Sequence, residues 1–176
     1  MAHKNDTYDY FYWYTENLFK RCQNDIIYQT KNVRSDNGTS LIDRYVMTDK
    51  DEKYFMRMLK ASTADVFLAL QSVCKGLEDA FIFDESLIDT VDTLVDVNGV
   101  IYTTEMHDDF QTDMVNKLDS DLEEAIVSGV LYRWWYNVGL PEFANRERQN
   151  YDELRNNIKK DINSRTTLVT RPTSMI

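Results

Sequence analysis

Two prolines and five glycines are all that interrupt 176 residues. A chain so poor in backbone breakers favours long helices over a many-turned sandwich or barrel. The places where breakers do stand therefore set the architecture. Gly139 ends one apolar-periodic stretch, and Pro141 follows where the first turn of the next helix begins, a position that needs no N–H donor. A link this short makes the two helices an antiparallel pair. The first of them, running from His107-Asp108-Asp109 to about Val138, carries Leu118, Leu122, Ile126, Val130 and Trp134 at helical spacing. The second carries Tyr151, Leu154, Ile158 and Ile162, with a strongly charged opposite face.

Two more helices are expected upstream. Over residues 7 to about 32, Thr7 can cap a helix on which Phe11, Leu18, Phe19, Cys22 and Ile26 recur. Its first turns hold Tyr8, Tyr10, Phe11, Tyr12, Trp13 and Tyr14, too many aromatic rings for one core-facing stripe, so some should meet another chain. Residues 33–47 lack a period and read mostly as loop. Thr48, with Asp49, Asp51 and Glu52 behind it, caps a long amphipathic helix over 49–77, striped by Phe55, Leu59, Val66, Leu70, Val73 and Leu77.

Residues 87–104 differ. They are rich in Val, Ile and Thr, and Asn98-Gly99 is the two-residue turn best suited to a β-hairpin. An isolated hairpin is marginal in water, so this one should pack on the helices or join strands of neighbouring subunits. From Ser164 the text loses helical period, and 164–176 reads as an extended C-terminal tail. The expectation is a single, mainly α domain over 1–176: a four-helix bundle-like body with an inserted hairpin and that tail.

Charge narrows the function. A formal charge of -10 and a pI near 4.6 disfavour non-specific attraction to nucleic-acid phosphates or anionic lipid. No stretch approaches the roughly 18 apolar residues of a membrane span, and the N-terminus lacks the pattern of a secretory signal. The chain is expected to be soluble and not exported. Cys22 and Cys74 stand alone in helix-like stretches, which suits buried free thiols in a reducing cytoplasm.

Chemistry-bearing constellations are thin. His107-Asp108-Asp109 could suggest a metal, but adjacent residues point apart and the only other histidine is His3, so a helix cap is preferred. Asp119, Asp121, Glu123 and Glu124, like Asp89, Asp92 and Asp96, read as solvated acidic faces. Glycine-rich phosphate loops are absent, and two histidines give a nucleophilic triad little material. No catalytic, cofactor-binding or metal-binding residue is assigned, and no enzyme is expected. Arg133-Trp134-Trp135-Tyr136 remains: a platform for a peptide or single strand, or packing. Packing is preferred, with Leu122, Ile126, Val130, Trp134, Leu154 and Ile158 in the core. Trp135 and Tyr136 then rest on the fourth helix or on a partner chain. Contacts between chains are expected at Trp13, Trp135 and Tyr136 and, along the tail, at Arg165, Arg171 and Pro172.

The second half, residues 95 to 173, resembles the helical head-to-tail connector (neck ring, or adaptor) proteins of tailed bacteriophages, especially those of crAss-like and other Bacteroidales phages and prophages. Four features carry the likeness in order: Asn98-Gly99-Val100-Ile101-Tyr102; the aromatic helix end Leu131-Tyr132-Arg133-Trp134-Trp135; the charged helix Glu142 to Lys160; and Ser164-Arg165-Thr166-Thr167 running into Arg171-Pro172. Fewer arginines and prolines near the tail than the family carries, and an unmatched aromatic N-terminus, are the departures. The resemblance implies a virion protein made in the host bacterial cytoplasm. It would form a homo-oligomeric ring, typically of twelve copies, between the portal and the adjoining tail or neck proteins, with double-stranded DNA passing through the channel without specific binding. The alternative from another class is a small cytoplasmic regulatory or binding module built on Trp134-Trp135.

Overall fold

The computed structural model describes residues 7–35, 37–71, 99–106 and 114–162. Along the chain run β1 (Thr7–Tyr14), α1 (Thr15–Thr30), α2 (Ile42–Tyr45), α3 (Glu52–Gln71), β2 (Gly99–Met106), α4 (Val115–Asn137) and α5 (Pro141–Ile162). The protein is mainly helical, with one two-stranded antiparallel sheet among the described residues.

Helix α4 is the centre of the bundle and touches α1, α3 and α5. Every residue from Ala125 to Leu131 is buried. The cause is compositional: Ala125-Ile126-Val127-Ser128-Gly129-Val130-Leu131 has no charged side chain over about two turns, so no face of the helix is held in water. The single stripe expected from periodicity accounts for only one side of it. Gly129 allows α3 to come close. A Cβ there would lie 2.9 Å from both Cβ and Oγ of Ser62 and 3.2 Å from Cε2 of Tyr151.

The α4–α5 link follows the expected breakers. Gly139 takes φ 79°, the amide of Leu140 donates to the Trp135 carbonyl at 2.9 Å and that of Gly139 to the Tyr136 carbonyl at 3.3 Å. These are the two bonds of a Schellman stop. On α5, Tyr151, Ile158 and Ile162 are buried, and Leu154 is only half-buried against the core edge.

The N-terminal helix is shorter than expected, and its aromatic start is a strand. Residues 7–14 extend as β1, which pairs with β2 from Thr7↔Met106 through Trp13↔Val100 to Tyr14↔Gly99. Aromatic side chains suit a pleated, half-buried surface, and period two gathers on one face what a helix would scatter. Phe11 and Trp13, two apart, stack at 6.3 Å, and with Val100 they are buried. Trp13, expected at a contact between chains, therefore lies inside its own chain. Tyr14 keeps extended backbone angles and α1 begins at Thr15.

Gly99 opens a strand whose described partner is β1 rather than a neighbouring segment. Asn98 and the rest of the hairpin expected over 87–104 before Gly99 lie outside the described residues, as do Cys74, His107-Asp108-Asp109, and the tail 164–176 with Arg165, Arg171 and Pro172. Before α3, a short 3-10 turn spans Asp49–Asp51, and the Asp51 carboxylate accepts from the backbone N–H and the hydroxyl of Thr48, both at 2.9 Å. Within 33–47 the backbone is not wholly irregular: Arg34 bridges Ser40, and α2 delivers Tyr45 to the core. Cys22 is fully buried, and burial raises its thiol pKa far above the ordinary value, so it stays a thiol.

Candidate functional site

Successive residues on a helix point about 100° apart. Arg133, Trp134, Trp135 and Tyr136 consequently serve four different directions. Trp134 turns toward α2 and the start of α3: its indole N–H donates to the Tyr45 carbonyl at 2.9 Å, and Tyr54 meets it edge-on at 6.4 Å. Trp135 turns toward α1 and α5. Its N–H donates to Gln29 Oε1 at 2.9 Å, and its ring packs against Tyr45 at 6.4 Å and Phe143 at 5.1 Å. Trp135 is 0% exposed, so of its two expected places the structure chooses the fourth long helix over a partner chain. Tyr136 alone of the four is open, at 76%.

Arg133 reaches α3. Its Nη1 donates to the Gly129 carbonyl at 2.7 Å and to Ser62 Oγ at 3.0 Å, and its Nη2 pairs with Asp65 at 2.5 Å. The guanidinium also lies 4.4 Å from the Tyr132 ring centroid. A single strand would need exposed ring faces and a free cation. Here both tryptophans are buried and the arginine is engaged, so the cluster packs α4 against its neighbouring helices.

A polar relay crosses the interior beside it. Gln29 accepts from Trp135 and donates through Nε2 to Glu147 Oε1 at 2.8 Å, tying α4, α1 and α5. Glu147 is 7% exposed, and burial holds its carboxyl above the usual glutamate range, with Glu124 and Asp25 adding to the rise against Arg146 and Gln29. Asp25 is likewise raised by burial, against the pull of Arg21. Asp119 is raised by burial and by Glu123.

The acidic run on α4 is not the solvated face its spacing suggested. Arg21 of α1 pairs with Glu123 at 2.8 Å and with Glu124, while Lys117 pairs with Asp121 at 3.1 Å and with Asp161 of α5. Glu123 and Glu124 thus clip α1 to α4, and Lys117 ties α5 to it through Asp161. Among the described residues no group of His, Cys, Asp or Glu is arranged to hold a metal ion, and no helix is long and apolar enough to cross a membrane.

No family model, curated protein or solved structure matches this chain.

The core expectations have clear positions: Leu122, Ile126, Val130, Trp134 and Ile158 are buried, and Leu154 is half-buried. Periodicity did not reveal the seam where Ser62 and Asp65 of α3 meet Arg133 of α4 and Tyr151 and Arg155 of α5. One signal was present. A glycine inside an uncharged helical run marks close approach of another element.

Proposed function

We propose that the chain is a non-enzymatic structural subunit of a phage neck, forming a ring, with twelve copies the expected number, between the portal and the adjoining tail protein. The observation that carries this reading is the α4–α5 antiparallel pair. It bears Leu131-Tyr132-Arg133-Trp134-Trp135 at the end of one helix and the charged stretch Glu142 to Lys160 on the other, with strand Gly99–Met106 before it. That order is the order in which the sequence resembles the connectors. A body locked by buried tryptophans and interhelical ion pairs also suits a part that must hold its shape under load rather than open around a substrate.

In this reading α4 is the scaffold, and the surface residues of α1, α3 and α5 are available for lateral contacts. Tyr28 on α1, 69% exposed, and Tyr136 at the end of α4, 76% exposed, are the aromatic groups to seek at such contacts. The C-terminal Arg165, Arg171 and Pro172 would fix the tail on the portal or on the next protein of the neck. Double-stranded DNA would pass the channel without specific contacts, as net acidity favours.

An asymmetric electron cryo-microscopy reconstruction of the portal vertex, from particles of the phage that encodes the chain, tests the proposal. Density that fits a ring of this helical body below the portal is the expected result. Absence of the chain from the particle would sink it.

A further inference from the structure

At 100° per residue, Lys53, Arg57, Lys60, Ala61, Ala64 and Leu68 of α3 fall within about 100° of one another, and all six are exposed, Leu68 at 60%. This open face is divided. Its N-terminal half is basic, its C-terminal half is apolar, and it carries no acid. Lys53 and Arg57 form no ion pair among the described residues, whereas Arg21, Lys117 and Arg133 each reach an acid on another helix. A single exposed leucine or a solvated surface cation is ordinary. What gives this face a partner is the course of the chain.

Phe55, in the first turn of α3, meets Phe19 of α1 edge-on at 4.9 Å. Helix α1 begins at Thr15, directly after Tyr14, and Tyr14 pairs with Gly99. Gly99 is thus tied, through β1 and the first turns of α1, to the N-terminal end of α3. Gln71, the other end of α3, stands sixteen residues beyond Phe55, about 24 Å along the axis at 1.5 Å per residue. Residues 72–98 therefore leave one end of α3 and have to come back toward the other. An extended chain covers about 24 Å in roughly seven residues, so this connection has length to spare for packing on the way.

Its composition and order fit the face it would pass. Residues 72–98 hold seven acids and one base, Lys75, within the 72–113 stretch that carries the whole net charge of -10. Leu77 and Phe81-Ile82-Phe83 come first, and Asp84, Glu85, Asp89, Asp92 and Asp96 come after. A chain running antiparallel to α3 meets Leu68, Ala64 and Ala61 first, then Lys60, Arg57 and Lys53. Apolar residues fall opposite apolar ones, and acids opposite bases. We propose that the exposed face of α3 is the docking surface for residues 77–97 of the same chain, laid back along it with Leu77, Phe81 and Phe83 toward Leu68 and the acids of 84–96 toward Arg57 and Lys53. Apolar burial supplies the attachment, since exposed ion pairs contribute little each, and the charges set its direction. Glu52 and Tyr54, exposed outside this face, are left for neighbouring copies. Nothing in the inference depends on the ring.

Carbodiimide coupling of the full-length wild-type protein is the first test. The reagent joins a lysine amine to a carboxylate only where the two touch, and peptide mapping should find Lys53 or Lys60 joined to an acid of 84–96. In an equal mixture of isotopically heavy and light protein, each such pair should carry one isotope throughout. Chymotrypsin should cut slowly after Phe81 and Phe83. Leu68→Asp changes an exposed position and leaves the described core intact, so it should keep the helix content and speed that cleavage by about tenfold or more.

Absence of coupling from Lys53 and Lys60 to residues 84–96 would overturn the proposal, as would equal cleavage of Leu68→Asp and the wild type. Coupled pairs that carry both isotopes would give the face to a second copy and overturn the choice of its own chain. Particles could contain a ring of this chain in every one of these cases, so failure here and failure of the neck reading are told apart.

Discussion

At the scale of single residues, Gly129 and Glu147 show how little the interior tolerates. Alanine at 129 would gain helix propensity of up to about 1 kcal/mol. It would also place a Cβ 2.9 Å from Ser62 Cβ, which belongs to the stiff root of a side chain and cannot swing away. Overpacking should win: Gly129→Ala is expected to lose about 1–3 kcal/mol in urea unfolding. Adding Ser62→Gly should return part of that loss, so the double variant falls short of the sum of the singles. Glu147 is a different case. Its folded-state carboxyl lies above the ordinary 4.5, so its contribution to stability is complete below that pH and is lost as pH rises through the raised value. Glu147→Gln keeps an acceptor for Gln29 and removes the buried charge. Thermal midpoints across pH should therefore show the variant more stable at neutral pH, with the gap closing below 4.5.

At the scale of elements, the ends of helices are where sequence and structure agree best. Gly139 and Pro141 stop α4 and start α5, and Thr48 with Asp51 starts the turn that leads into α3. Caps are local chemistry, legible from a few residues. Asp51→Ala removes the acceptor for both Thr48 donors and should cost about 1 kcal/mol by chemical denaturation, without change in helix content at neutral pH. The aromatic start misleads for a complementary reason. TYDYFYWY has strand-forming residues with alternation, yet its partner strand lies far along the chain. A strand whose pairing is non-local has no local signature beyond its own composition, and a nearby helical period then extends over it.

At the scale of the molecule, two facts bear on assembly. The described body is closed around α4, and the charge of the chain is gathered in residues 72–113. The residues outside that stretch sum to zero formal charge. The C-terminal Arg165, Arg171 and Pro172 follow a helix whose buried anchors, Ile158 and Ile162, are already placed before Ser164. Truncation before Ser164 should therefore leave the thermal midpoint within a degree or so, because no described core residue is lost, and should abolish incorporation into particles. Unaltered incorporation would refute the role given to the tail.

The sequence by itself determined the fold class, the antiparallel helix pair, the helix signals at Thr48, Gly139 and Pro141 and most of the core, because helical period, breakers and caps act through neighbours along the chain. Only the tertiary structure decided that Trp13 and Trp135 face inward, that Glu123 and Glu124 clip α1 rather than meet water, and that β1 pairs with β2. It also brought Ser62 and Asp65 to Arg133, and Tyr151 to Tyr132. Each of those outcomes depends on which helix lies across which, and close packing sets that jointly for residues that no sequence interval connects.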